Sequence, residues 1–144
     1  MTTIAFDGKT MAADGRATAE DVILADDLQK LHQLDTNRWS LRPAIIGMSG
    51  ATRSVSDALA WIEGRTEVPG EGVEFFALVW DGERLIMVSD ECLTPESWPA
   101  PMAIGSGKLP ALAAMRAGAD ARRAVEVAIS MDVFRGGHIR TAVL

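Results

Sequence analysis

Two hairpins legible in the sequence restrict how this chain can fold. Residues 2–6 alternate in polarity, Asp7-Gly8-Lys9 supplies a tight turn, and residues 10–14 run back beside them, so the first two strands are expected to pair antiparallel. Residues 75–80 and 85–89 repeat the arrangement around an Asp81-Gly82 turn. A third strand segment is expected within residues 22–34, and a turn at Asp35-Thr36-Asn37-Arg38 leads into a strand over 44–48. Residues 51–64 read as a helix with Val55, Leu59 and Ile62 on one face and Gly64 as its stop. A loop over 66–72 follows, and a Pro-broken stretch over 95–101 precedes the next strand. Residues 109–117 and 121–134 have helical spacing on either side of Gly118, and 137–143 close the chain as a strand. Strands, one helix, strands, two helices and a last strand fit a layered α/β sandwich better than a parallel βαβ series.

A length of 144 residues suits a single domain over 1–144 with one substantial core. The single Cys92 excludes an intramolecular disulfide and offers no metal-ligand cluster, so neither a metal nor a cofactor is expected. There is no apolar run near 18 residues and no signal-peptide pattern, which makes a cytoplasmic address the default expectation. A net charge of −6 argues against nucleic acid or an anionic membrane as the main partner, because both require concentrated Lys and Arg.

Chemistry enters at the second residue. Methionine aminopeptidases usually remove an initiator Met before a small residue, which here exposes Thr2 with a free α-amine. A threonine hydroxyl is a poor nucleophile alone, but an amine with an ordinary pKa of about 7.7–8.0 can accept its proton near neutrality. The first hairpin returns Asp14 toward that end of the chain. Counting by two along the third segment places Leu28, Lys30, His32 and Leu34 on one face, so Lys30 sits among inward-facing apolar neighbours. A lysine there needs a carboxylate, and Asp14 is the candidate partner. From the residues alone, Gly50 reads as a strand cap ahead of the helix and Ser106 as a helix-capping residue. His32 and His138 form no recognisable triad or metal pair and read as structural. Asp26-Asp27 reads as a solvated pair, and Trp39, Trp61, Trp80 and Trp98 as core or subunit-contact residues.

Taken in order, Thr2, Asp14-Gly15-Arg16-Ala17-Thr18, Lys30, Ile45-Ile46-Gly47-Met48-Ser49-Gly50-Ala51, Ala103-Ile104-Gly105-Ser106-Gly107 and Asp132 followed by Gly136-Gly137 resemble the motif series of proteasome β-subunits and the bacterial HslV-type protease. The resemblance runs from residue 2 to about 143. It implies a four-layer αββα sandwich of the N-terminal nucleophile hydrolase type, and a threonine endopeptidase that cuts through a Thr2 acyl-enzyme.

It also implies roles. Thr2 is the nucleophile, Lys30 a cation beside its amine, Asp14 the support of Lys30, and the Gly50 N–H an oxyanion donor. Ser106 and Asp132 match positions that hydrogen-bond the terminal amine. Arg16 and Thr18 match positions framing the substrate backbone, and Met48 a pocket position suited to small or medium apolar groups on the acyl side. The implied partners are a polypeptide substrate, further copies of the chain in an oligomer, and an ATP-dependent unfoldase that delivers unfolded chains; no nucleotide motif occurs here, so any ATP use would belong to that partner.

Two departures stand out. Only about ten loop residues separate Gly64 from Phe75, so the family's second helix is expected to be missing or a single turn, which weakens the case for the usual ring. Arg135 stands where the family usually has Ser before Gly-Gly, and it either points away or adds a cation near Lys30. A retained Met1 would block the amine. A non-catalytic structural or interaction protein and a small-molecule amidohydrolase therefore remain as alternative functions.

Overall fold

Main-chain pairing sorts the strands into two large antiparallel sheets, in a computed structural model that describes residues 2–132 and 134–144. In chain order the elements are β1 (Thr3–Phe6), β2 (Met11–Ala13), β3 (Ala17–Ala19), β4 (Val22–Ala25), β5 (Leu31–Leu34), β6 (Ala44–Gly50) and α1 (Thr52–Glu63). They continue with β7 (Phe75–Trp80), β8 (Leu85–Ser89), β9 (Glu96–Ser97), β10 (Met102–Gly105), α2 (Lys108–Arg116), α3 (Ala121–Ser130) and β11 (Arg140–Ala142). One sheet has the order β10-β1-β2-β11 and the other β5-β6-β7-β8-β9, with β3 and β4 forming a small ribbon of their own.

Three apolar layers hold the stack together. Helix α1 covers the five-stranded sheet through Ala58, Trp61 and Ile62, which meet Ile46, Met48, Phe75 and Val79. Between the sheets lie Ile4, Phe6, Met11, Ile45, Leu78 and Ile104, all nearly inaccessible. Helices α2 and α3 cover the outer face of the other sheet, where Ala5, Ala12 and Ala103 meet Ala111, Ala124, Val125 and Ala128. Small side chains on both surfaces let these helices lie close to the strands. The result is α1, sheet, sheet, α2 with α3: the four-layer sandwich expected from the sequence.

Local features explain most boundaries. The β1–β2 register pairs Ile4 with Ala13 and Phe6 with Met11. Its turn is tied by the Asp7 carboxylate, which accepts N–H bonds from Lys9 and Thr10 at 2.9 and 2.8 Å. Helix α1 ends at Gly64 in the left-handed conformation, φ 91°. Residues 64–74, between α1 and β7, hold turns and loop but no helix.

Three expectations need correction. The segment expected as one strand over 22–34 divides, with β4 turning back on β3 and β5 starting only at Leu31. Helix α3 stops at Ser130, short of Phe134, and Val133 lies outside the described residues. The closing strand is three residues long, because the Gly136-Gly137 stretch before it takes positive φ angles and packs against Arg16 and Asp26.

Candidate active site

The amino-terminal strand sets the site. Pairing of β1 with both β2 and β10 carries Thr2 to the end of the sheet, beside the β10–α2 turn. There the Thr2 N–H donates to Ser106 Oγ at 3.3 Å, and the Ser106 hydroxyl donates to the Thr2 carbonyl at 3.3 Å. The Gly107 N–H donates to the same carbonyl, also at 3.3 Å. A side chain at Gly107 would run into the Thr3 hydroxyl, so only glycine lets the turn approach β1 this closely.

Beneath Thr2 lies a buried ion pair. Lys30 Nζ is 2.9 Å from Asp14 Oδ1, and the two residues are 6 and 1% exposed. Lys30 also donates to the Arg16 carbonyl at 2.8 Å. Asp14 is heavily subscribed: Oδ1 accepts the Thr3 N–H at 3.0 Å, and Oδ2 accepts from the Arg16 and Gly136 N–H groups at 3.4 Å each. One carboxylate thus ties the first strand, the Lys30 ammonium and the chain around Gly136 together. Burial holds the Lys30 ammonium below the usual lysine value, while the charge of Asp14 and its hydrogen bond oppose that effect.

A cleft of about 400 Å³ opens over this pair and is lined by Thr2, Arg16, Thr18, Lys30, Met48 and Gly50 among others. Most residues singled out from the sequence therefore share one cavity. Gly50 closes β6 at φ 145°, a conformation that other residues rarely adopt. The Arg16 side chain reaches Asp26, with Nε 2.6 Å from Oδ1, and this hydrogen bond holds Asp26 below the usual carboxylate range. Asp27 pairs with Arg140 at 2.8 Å, so each member of the Asp26-Asp27 pair carries its own arginine. Among the described residues, no cluster of His, Cys, Asp or Glu is arranged to hold a metal.

Asp132 stands one step further from Thr2. Its Oδ2 is paired with Arg135 at 2.9 Å, and its Oδ1 accepts the Phe134 N–H at 2.7 Å. Arg135, 8% exposed, faces Ser106, with Nε donating to Oγ at 3.4 Å.

Two residues of the site escaped sequence reasoning in whole or part. His32, read as structural, lines the cleft, and its Nε2 is buried without a hydrogen-bond partner among the described residues. Burial holds its imidazole below the ordinary histidine value. The period-2 count that places His32 on the Lys30 face was the available signal. Arg135 is the other, and its contact with Ser106 spans 29 positions of sequence.

The architecture around this cleft has counterparts among solved structures. The eukaryotic HslV from Trypanosoma brucei superposes with a TM-score of 0.74 at 24% identity, over 100% of this chain and 99% of that one. The chain has the HslV and proteasome β-subunit fold. Thiobacillus denitrificans BPH matches with a TM-score of 0.67 at 18% identity, over 99% of this chain and 96% of that one. The same BPH in complex with epoxomicin gives 0.68 at 16%, over 99 and 97%. No protein-family model and no curated protein matches the chain. At these identities the HslV-like likeness fixes the architecture, and the residues of the cleft must carry any statement about chemistry.

Proposed function

We propose that the chain is a threonine endopeptidase whose nucleophile is Thr2, freed by removal of Met1 and working within an oligomer. The supporting observation is the meeting of Thr2, held by Ser106, with the buried Lys30–Asp14 pair at a single cleft. In this reading the Thr2 Oγ attacks a peptide carbonyl while the Thr2 amine takes its proton. Lys30, a cation facing the same cleft, favours the unprotonated amine and the developing alkoxide. The Gly50 N–H faces the oxyanion, a donor typically worth about 2.7–4 kcal/mol of barrier. The ammonium then protonates the leaving amine, leaving an ester on Thr2. Water attacks that ester, returns a proton through the amine, and releases the acid.

Arg16 and Thr18 frame the substrate backbone, and Met48 disposes the cleft toward small or medium apolar acyl-side groups. Asp132 acts on the amine at one remove, through Arg135 and Ser106. An ATP-driven unfoldase feeding the oligomer and a cytoplasmic address belong to the same proposal. No helix among the described residues is long and apolar enough to cross a membrane.

The test is an intact-mass spectrum after exposure to a peptide epoxyketone, with Thr2→Ala as control. One adduct that requires Thr2 on a chain lacking Met1 is the expected result. Retained Met1 and no adduct, even after methionine aminopeptidase treatment, would favour a non-catalytic protein of this fold. A reactive monomer or dimer that ignores unfolded polypeptide would favour a small-molecule amidohydrolase.

A further inference from the structure

We propose that Arg135 is a positioning residue that keeps the lone pair of the Thr2 amine free, by fixing which way the Ser106 hydroxyl points. The inference rests on Thr2 being the nucleophile.

The guanidinium is nearly enclosed and makes three directed bonds. Nη2 meets Asp132 Oδ2 at 2.9 Å, Nη1 donates to the Ala128 carbonyl at 3.2 Å, and Nε donates to Ser106 Oγ at 3.4 Å. Asp132 and the end of α3 thus aim Nε at the hydroxyl. On the other side its Cδ packs against Gly107, where an added Cβ would come within 3.1 Å of it.

Arginine has donors and no acceptor, so Ser106 Oγ must receive the Nε–H. The same oxygen receives the Thr2 N–H, and a serine hydroxyl has two lone pairs and one proton. Both lone pairs are then occupied. The remaining O–H has one direction left, toward the Thr2 carbonyl 3.3 Å away.

For a terminal amine this orientation matters. The amine must use its lone pair to accept the proton of its own Oγ–H. A Ser106 hydroxyl free to rotate would donate to that lone pair and occupy it. With Arg135 in place, Ser106 meets the amine as an acceptor only, takes one N–H, and leaves the lone pair facing the nucleophile. Arg135 itself touches neither the substrate nor the reacting atoms.

The experiment measures the rate of Thr2 adduct formation with a peptide epoxyketone at pH 9, where an amine of ordinary pKa about 7.7–8.0 is already neutral. The parent, R135M, S106A and the S106A/R135M double variant are compared, all lacking Met1. R135M is expected to react about five-fold more slowly, the population equivalent of one ordinary net hydrogen bond blocking the lone pair. In the S106A background the same change is expected to have no further effect, because no hydroxyl remains to misdirect. R135K, which retains a charged donor at this place, is expected to restore most of the parent rate.

A merely structural Arg135 would slow both backgrounds equally and would not be rescued by lysine, and either result overturns the inference. Should R135M fold poorly because Asp132 is left unpaired, D132N/R135M removes that charge and carries the same comparison. A reactive parent whose rate ignores Arg135 overturns this inference alone. An unreactive parent overturns the proposed function and this inference with it.

Discussion

Asp14 receives four donors, from Thr3, Arg16, Lys30 and Gly136, and the strongest is the Lys30 ammonium at 2.9 Å. Pairing makes the two charges tolerable in an enclosed place, and removing one partner leaves the other uncompensated. Lys30→Met is therefore expected to lower the unfolding free energy by about 3–5 kcal/mol, read as a lower urea midpoint, and to abolish the Thr2 adduct. Asp14→Ala is expected to cost more, since the Thr3, Arg16 and Gly136 N–H groups lose their acceptor as well. Equal midpoints for the two variants would mean that the backbone donors find other partners.

Thr3 presents the opposite situation. It is 0% exposed, and its hydroxyl is buried with no hydrogen-bond partner among the described residues. A buried hydroxyl left unsatisfied costs about 1–3 kcal/mol, and valine has nearly the same shape without that cost. Thr3→Val is expected to raise the urea midpoint, a gain of about 1 kcal/mol, with the Thr2 adduct rate retained. Gly107→Ala should have the reverse effect, because its methyl group enters the space of the Thr3 side chain. A drop in midpoint for Thr3→Val would show that the hydroxyl has a polar partner in solution.

The parts of this fold that were legible in the sequence are those whose causes are local. The β1–β2 and β7–β8 hairpins have their turn residues beside them, and Gly64 supplies the left-handed stop of α1. Even the Lys30–Asp14 pair followed from period-2 counting and the cost of an unpaired buried ammonium. The β3–β4 ribbon was missed because its turn carries Glu20 at φ 53°, with no glycine or asparagine to announce it. The division of residues 22–34 depends on distant chain: the Asp26 carbonyl accepts the His138 N–H at 2.7 Å, and the Leu28 N–H reaches Gly15 at 2.9 Å. Arg135 was visible as a departure from the family pattern, but its contact with Ser106 exists only once α3 is packed on the sheet.

His32 gives the fold a pH dependence whose sign can be worked out. Burial holds its imidazole below the ordinary value of about 6.5, so the unfolded chain binds a proton more readily than the native ring. Above pH 6.5 both states are neutral there and the residue has no effect. As pH falls from 6.5 through the native value, stability is lost, and the loss is complete once both states are protonated. Other groups, Asp26 among them, add to acid destabilisation in any variant, so the His32 part appears as a difference. Between pH 7.5 and 5 the parent's urea midpoint should fall more than that of His32→Gln. Parallel curves would show that the ring is protonated as easily in the native state as in the unfolded chain.

The β3–β4 ribbon exposes three apolar residues in a row, Val22, Ile23 and Leu24, at 60, 49 and 66%. Two-stranded ribbons are marginal alone, and contiguous exposed apolar surface marks a contact site more often than an idle face. Thr18, on the first strand of this ribbon, lines the cleft, so a neighbouring copy covering the second strand would also steady the wall of the site. Leu24→Glu removes nothing from the three apolar layers and is expected to change the unfolding free energy of the isolated chain by no more than about 0.5 kcal/mol. In sedimentation velocity the same variant is expected to shift the protein toward smaller species, and at low concentration to slow adduct formation at Thr2. An unchanged sedimentation profile would mean that this ribbon carries no contact between copies, and an unchanged adduct rate in a dissociated variant would show that the cleft is complete within one chain.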